Sequence, residues 1–299
     1  MVERAALVFL SRRAVLALVV VAATAGCTDL FFHPSRTLTH SPADLGLAYR
    51  DVWFEATDGT PLHGWFLPAR GDPKGLLLHL HGNAGNVAAH LGFVAWLPAE
   101  GISVLTVDYR GYGRSGGTPT LSGVHRDAEA ALAQALVLQS AEGMAARPLG
   151  VLGQSLGGSV AVTALARSGL KERFGLLVID GAFSGYRQIV RDKLAEFWLT
   201  WPIKGLASAG IDEGYDPVDA IATLAPLPLL ILHGDLDPVV PIAHAKALYE
   251  AAQEPKQLWV VRGGGHLDAL ASPELRTLVV QSLITAAPSA SAAGCRQED

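Results

Sequence analysis

The sequence predicts an α/β fold: a mostly parallel sheet of about eight strands with helices on both faces and a small insertion. Three observations carry that prediction. Short apolar runs alternate with longer segments whose apolar residues recur at helical spacing. The first two strand signals flank Asp58-Gly59, a hairpin-type turn, so the opening pair is antiparallel. Half of the 299 residues are hydrophobic, enough for one large domain with a sizeable core.

The elements follow in order. Residues 52–57 and 62–67 form the opening hairpin around Asp58-Gly59. Residues 75–80 are a short apolar run, read as a buried strand, and 86–99 have helical spacing. Residues 102–108 (ISVLTVD) are a second buried strand, followed by an Ala- and Leu-rich helix over 124–140. Residues 149–152 form a strand that feeds a glycine-rich turn, and 159–168 are helical. Residues 174–179, 229–232 and 258–261 read as three further strands, with helices over 242–252 and 273–285. Buried strands alternating with helices indicate a parallel sheet covered on both sides. The stretch 184–224 has no strand signal and carries Phe197, Trp198, Trp201 and Tyr215. An insertion of that size above a sheet reads either as a lid or as extra packing helices.

The N-terminus has the pattern of an export signal. Arg4, Arg12 and Arg13 precede a mostly apolar run over 14–26, which ends at Cys27. The run is too short for an ordinary transmembrane helix. Its ending, T-A-G-C, resembles the lipobox of bacterial lipoproteins, with Thr24 where leucine or valine is usual. In that pattern the cysteine is acylated and becomes the first residue. Ser11-Arg12-Arg13 also resembles a twin-arginine signal. The expected organisation is a signal peptide over 1–26 and a lipid-attached tether over 27–48. An α/β domain then spans 49–286, with the lid segment at 184–224, and a low-complexity, disordered tail spans 287–299. The expected location is the cell envelope, on a membrane through lipid on Cys27. The net charge is −5 without a dense basic run, so nucleic acid is not an expected partner. The two cysteines, Cys27 and Cys295, could pair after export unless Cys27 is acylated. No C-x-x-C pair is present, and no structural zinc is expected.

The chemistry centres on G-Q-S-L-G at 153–157. The motif needs a strand before it and a helix after it, and both are present. The flanking glycines suit a tight turn where a Cβ would clash with backbone. A serine hydroxyl needs a base, and the base needs an orienting carboxylate. In this arrangement the chain order is serine, acid, histidine. After Ser155, Asp235 and Asp237 follow one buried strand, and His266 follows the next on a glycine-rich loop. Both loops fall at C-terminal strand ends, where open parallel sheets bind ligands. His233 falls in a strand-to-loop turn and His244 on a helix expected to be exposed, so His266 is the expected base. The expected oxyanion donors are the backbone N–H groups of Leu156 and Asn83.

Five segments then carry a resemblance: HGNAGN at 81–86, DYRGYGRSGG at 108–117, GQSLGG at 153–158, HGDLDPVVP at 233–241 and GGGHLD at 263–268. In this order they resemble the α/β-hydrolase serine hydrolases, of the lipoprotein type that carries an alpha/beta-hydrolase domain, over about residues 50–285. The resemblance implies the α/β-hydrolase fold. It implies cleavage of an ester, thioester or amide of a small acyl substrate through an acyl-enzyme, with no cofactor. It also places the acid at Asp237 rather than Asp235. A thioesterase, a peptidase, or a binding lipoprotein on a hydrolase scaffold are the alternatives.

Gly111–Gly116 matches G-x-G-x-x-G, but no helix opens directly after it, so dinucleotide binding is not expected. His79-x-His81 lacks a third ligand at metal spacing, so no metal is expected. Gly157-Gly158-Ser159 lacks a P-loop lysine. Asp180, at a strand end, is the reserve acid.

Overall fold

The computed structural model describes residues 31–195 and 214–286. Residues 1–26, expected to be a signal peptide, Cys27, Phe197, Trp198, Trp201 and residues 287–299 with Cys295 lie outside the described residues.

Ten strands are described: β1 (His33–Pro34), β2 (Arg50–Glu55), β3 (Pro61–Leu67), β4 (Gly75–Leu80), β5 (Ala84–Gly85), β6 (Ile102–Asp108), β7 (Leu149–Gln154), β8 (Leu176–Asp180), β9 (Leu229–Gly234) and β10 (Lys256–Val261). Eight form one sheet in the order β10-β9-β8-β7-β4-β6-β3-β2. β2 and β3 pair antiparallel, as do β3 and β6, and the remaining pairs are parallel. The five main helices are α1 (Leu121–Ala141), α2 (Leu156–Ser168), α3 (Tyr186–Ala195), α4 (Ile242–Ala251) and α5 (Pro273–Thr285).

The central strands are continuous apolar runs because both faces are covered. In β4, Leu76, Leu78 and Leu80 join the core shared with α1, α2 and α4, while Leu77 joins the opposite core with α5. β9 divides the same way, with Leu229 and Ile231 on one side and Leu230 and Leu232 on the other. Burying each such side chain contributes about 1.5–3 kcal/mol. Helix ends follow local chemistry. Thr120 caps α1 by accepting from the Gly123 N–H, Ser272 caps α5 through Leu275, and α2 stops at left-handed Gly169.

Two expectations need correction. The predicted helix over 86–99 is not continuous. Asn86 caps a single α-turn, Val87–His90, and the chain continues as 3₁₀ turns at Leu91–Phe93 and Leu97–Glu100. Gly92 favours an extended helix weakly, and Pro98 cannot donate to one. The second concerns 31–48, which is irregular but held to the domain. β1 pairs in parallel with β5 to form a separate two-stranded sheet, and Phe32 is buried in the core.

Candidate active site

The turn after β7 places Ser155 against the sheet. Ser155 has φ 52° and ψ −117°, a conformation a non-glycine residue adopts only under strain. Its N–H donates to the Asp180 carbonyl at 2.8 Å, which ties the turn to the end of β8. A Cβ on Gly153 would run into the Gly157 carbonyl, and one on Gly157 into the carbonyls of Leu80 and His81. The two glycines let the turn cross its neighbours' backbone. α2 begins at once and turns its positive end toward Ser155.

The loops after β9 and β10 meet beside it. Asp237 Oδ2 lies 2.7 Å from His266 Nδ1, and Asp237 Oδ1 accepts the N–H groups of Val239 (2.7 Å) and Val240 (2.9 Å). Burial pushes the Asp237 carboxyl up, but the His266 bond and these two N–H donors outweigh it and hold the group below its ordinary value. With Nδ1–H donating to the carboxylate, His266 keeps Nε2 free as an acceptor. Asp235 is used differently: its Oδ1 accepts the Gly263 N–H at 2.6 Å and joins the two loops. Asp268 Oδ2 shapes the histidine loop by accepting the Gly265 N–H at 2.7 Å. Gly181 makes room for the imidazole, since a Cβ there would lie 3.1 Å from His266 Cε1. No sequence signal singled it out.

The loop after β4 carries Asn83. Among the described residues, neither the Asn83 nor the Leu156 N–H is taken by another backbone or side-chain acceptor. Tyr112 O–H lies within hydrogen-bond distance of the Asn83 carbonyl (2.8 Å) and of its Oδ1 (2.9 Å), and Tyr109 O–H donates to the His81 carbonyl at 3.2 Å. His81 Nδ1 bonds Gly82 and its ring stacks on His90. The Gly111–Gly116 segment thus supports this loop from below. Arg110, just before it, is held by Asp127 and Asp58, and the next helix opens only at Leu121. His79 is committed to Thr106 and Gln154.

Ser155, Leu156, Asn83 and His266 line one pocket of about 570 Å³. Its walls are mostly apolar, and α3, in the 184–224 stretch, contributes Ile189, Val190, Lys193 and Leu194. Phe31 and His33 also line it, although they fall in the stretch 27–48, where the sequence predicts an irregular tether. No short-range signal could have found them: the His33 N–H accepted by Asn83 Oδ1 lies fifty residues away in the chain.

His244 corrects another expectation. It is 3% exposed rather than on an open helix face. Its Nδ1 accepts from the Ser184 N–H (3.1 Å) and lies 2.8 Å from Ser184 Oγ, while Nε2 lies 3.0 Å from Asp192 on α3. This Ser184–His244–Asp192 chain fastens α3 to α4, and none of the three lines the pocket. His233 is fully buried, with Nε2 on the Val240 carbonyl at 2.8 Å. Asp180 is also fully buried, and that burial pushes its carboxyl up to about 7, with the Gln154 amide offsetting part of the effect.

Residues 71–217 match the family model described as serine aminopeptidase, S33. The chain is 36% identical over 222 residues to YfhR of Escherichia coli (strain K12), covering 73% of each protein. It is 32% identical over 246 residues to the alpha/beta hydrolase domain-containing protein WAV2 of Arabidopsis thaliana, covering 78% of this chain and 77% of that one. Among solved structures, the esterase Pf2001 of Pyrococcus furiosus superposes with a TM-score of 0.67 at 23% identity, over 85% of this chain and 97% of that one.

Proposed function

The chain belongs to the α/β-hydrolase family, and on that premise we propose that it is a serine hydrolase that cleaves a carboxylic ester through an acyl-enzyme. The observation that carries this reading is the 2.7 Å bond between Asp237 and His266 beside a strained Ser155, with His266 and Ser155 opening into one apolar pocket.

Ser155 Oγ attacks the acyl carbon while His266 Nε2 takes its proton. The N–H groups of Asn83 and Leu156 hold the oxyanion. The C–O bond breaks, and the alcohol leaves with the proton from His266. Water, deprotonated by His266, then releases the acid and restores Ser155. Asp237 keeps the imidazole in the required tautomer and stabilises its charged form. No step calls for a cofactor.

The pocket favours an acyl ester over an amino-terminal peptide. A free ammonium needs anionic partners, and the described lining is mostly aliphatic and aromatic, without a carboxylate. A thioester would fit the same walls. We also infer from the sequence pattern that the protein is exported and anchored by lipid on Cys27.

The test is labelling of the purified protein with a fluorophosphonate probe, wild type beside Ser155→Ala, followed by p-nitrophenyl esters of graded length. Labelling that disappears in the variant supports an activated serine at 155. Absent labelling of well-folded wild type would favour a non-catalytic binding lipoprotein instead.

A further inference from the structure

The chain reaches the pocket from its N-terminal side. Phe31 and His33 stand in the pocket wall, and the segment that carries them is stitched to the domain. β1 pairs with β5. Asn83 accepts the His33 N–H at 3.2 Å and donates to the Phe31 carbonyl. Asn86 Nδ2 donates to the carbonyls of Ser35 (3.0 Å) and Thr37 (2.8 Å), and the Gly113 N–H donates to Ser35 at 2.8 Å. Arg36 donates to the Ser115 and Gly117 carbonyls. The Phe31 ring packs 5.5 Å from Tyr186 and 6.2 Å from Phe183. This strap fixes where the chain leaves the domain, and that place is the pocket rim.

The apolar run over 14–26 and Cys27 end just upstream. Three residues separate Cys27 from Phe31, and an extended chain covers at most about 14 Å over the four Cα steps. A lipid on Cys27 would therefore be tethered within about one leaflet's hydrocarbon depth of Phe31, roughly 15 Å. Apolar side chains are exposed on the neighbouring acid loop: Val239, which lines the pocket, is 42% exposed, and Leu236 is 69% exposed.

We propose that the pocket takes its substrate from a bilayer, and that the substrate is an acyl ester of a membrane lipid. The inference rests on the ester-hydrolase and lipid-anchor readings and adds the lipid as the substrate class. The anchor sets the rim against the lipid surface, the acyl chain enters the apolar pocket, and the polar head stays in the interface. Ser155 Oγ bonds to the acyl carbon and the lipid's ester C–O bond breaks. The lyso-lipid oxygen takes the proton held by His266, and water then frees the fatty acid. The net negative charge of the chain makes a zwitterionic surface the suitable one.

The test uses the full chain reconstituted into phosphatidylcholine vesicles. A fluorogenic phosphatidylcholine is placed either in the same vesicles or in separate ones, and p-nitrophenyl butyrate serves as soluble substrate in both samples. A short tether raises effective substrate concentration by orders of magnitude. The expected result is phospholipid turnover at least about tenfold faster in the shared vesicles, with equal turnover of the soluble ester. Equal phospholipid rates, or none while the soluble ester is hydrolysed, would overturn the membrane-lipid inference and leave the esterase reading standing. Failure to hydrolyse either substrate would overturn both.

Discussion

Gly181 and His266 are fitted to each other: a Cβ on Gly181 would stand 3.1 Å from Cε1 and 3.2 Å from Nδ1 of the imidazole. Gly181 also has φ +63°, which strains any side chain placed there. Gly181→Ala should therefore push the imidazole away from Ser155. The expected effect is a fall in kcat of about 10–100-fold with the fold retained, since displacements of about 1 Å have such effects. Ester kinetics beside a circular dichroism melt will check it, and an unchanged kcat would mean the ring has slack the structure does not show.

The two aspartates of the acid loop should separate cleanly. Asp237 bonds His266, whereas Asp235 bonds the Gly263 N–H. Asp237→Asn should lower kcat by about 10³–10⁴-fold, because the amide favours the wrong imidazole tautomer. Asp235→Ala, which removes the acceptor of the Gly263 N–H, should keep activity within about tenfold and lower thermal stability by about 1 kcal/mol, the net contribution of one hydrogen bond. Equal losses in the two variants would contradict the assignment of roles.

Asn83 joins the strap to the loop after β4 by its side chain, which leaves its N–H for the proposed oxyanion role. Asn83→Ala retains that N–H and removes the amide's bonds to Phe31, His33 and Tyr112. A fall in kcat of about tenfold, or about 1.4 kcal/mol in the barrier, with a smaller change in KM is expected. Tyr112→Phe should give part of the loss, and the double variant less than the product of the two. Strict multiplicativity would show that they do not act as one unit.

Acid should weaken the fold. Burial pushes His79 down to about 3 and His90 and His125 to about 4, all from 6.5. The unfolded chain therefore binds more protons than the native one between pH 6.5 and 4, and stability is lost as pH falls through that window. Asp180 opposes this: its raised carboxyl, near 7, makes the native state bind the extra proton. Three histidines against one aspartate leave a net loss on acidification, on the order of 1–3 kcal/mol per pH unit. The urea midpoint should fall from pH 7 to pH 5, and fall more steeply in Asp180→Asn. A flat profile would contradict the burial argument.

Much of the architecture was legible because the central strands are covered on both sides. A run such as Leu76–Leu80 has nowhere to be but inside a parallel sheet. The turn at Ser155 was legible because its glycines answer a local backbone crowding. What escaped reading depends on distant partners. His244 looks like a helix-surface residue until Asp192 and Ser184 arrive from the segment after β8. The strap reads as a tether because its partners, Asn83, Asn86 and Gly113, lie far along the chain. The broken helix after Asn86 shows spacing overruled by Gly92 and Pro98.

The site is drawn from both ends of the chain, and this bears on when it can first work. The strap precedes β2, Ser155 follows β7, Asp237 follows β9, and His266 comes after β10, the last strand of the described domain. During synthesis Ser155 emerges 111 residues ahead of His266. A nascent chain therefore carries a hydroxyl with nothing to deprotonate it, since contacts between distant segments form only once those segments exist. If the chain leaves its birthplace before it closes its sheet, hydrolysis begins only at the destination, and the acyl esters met on the way are spared.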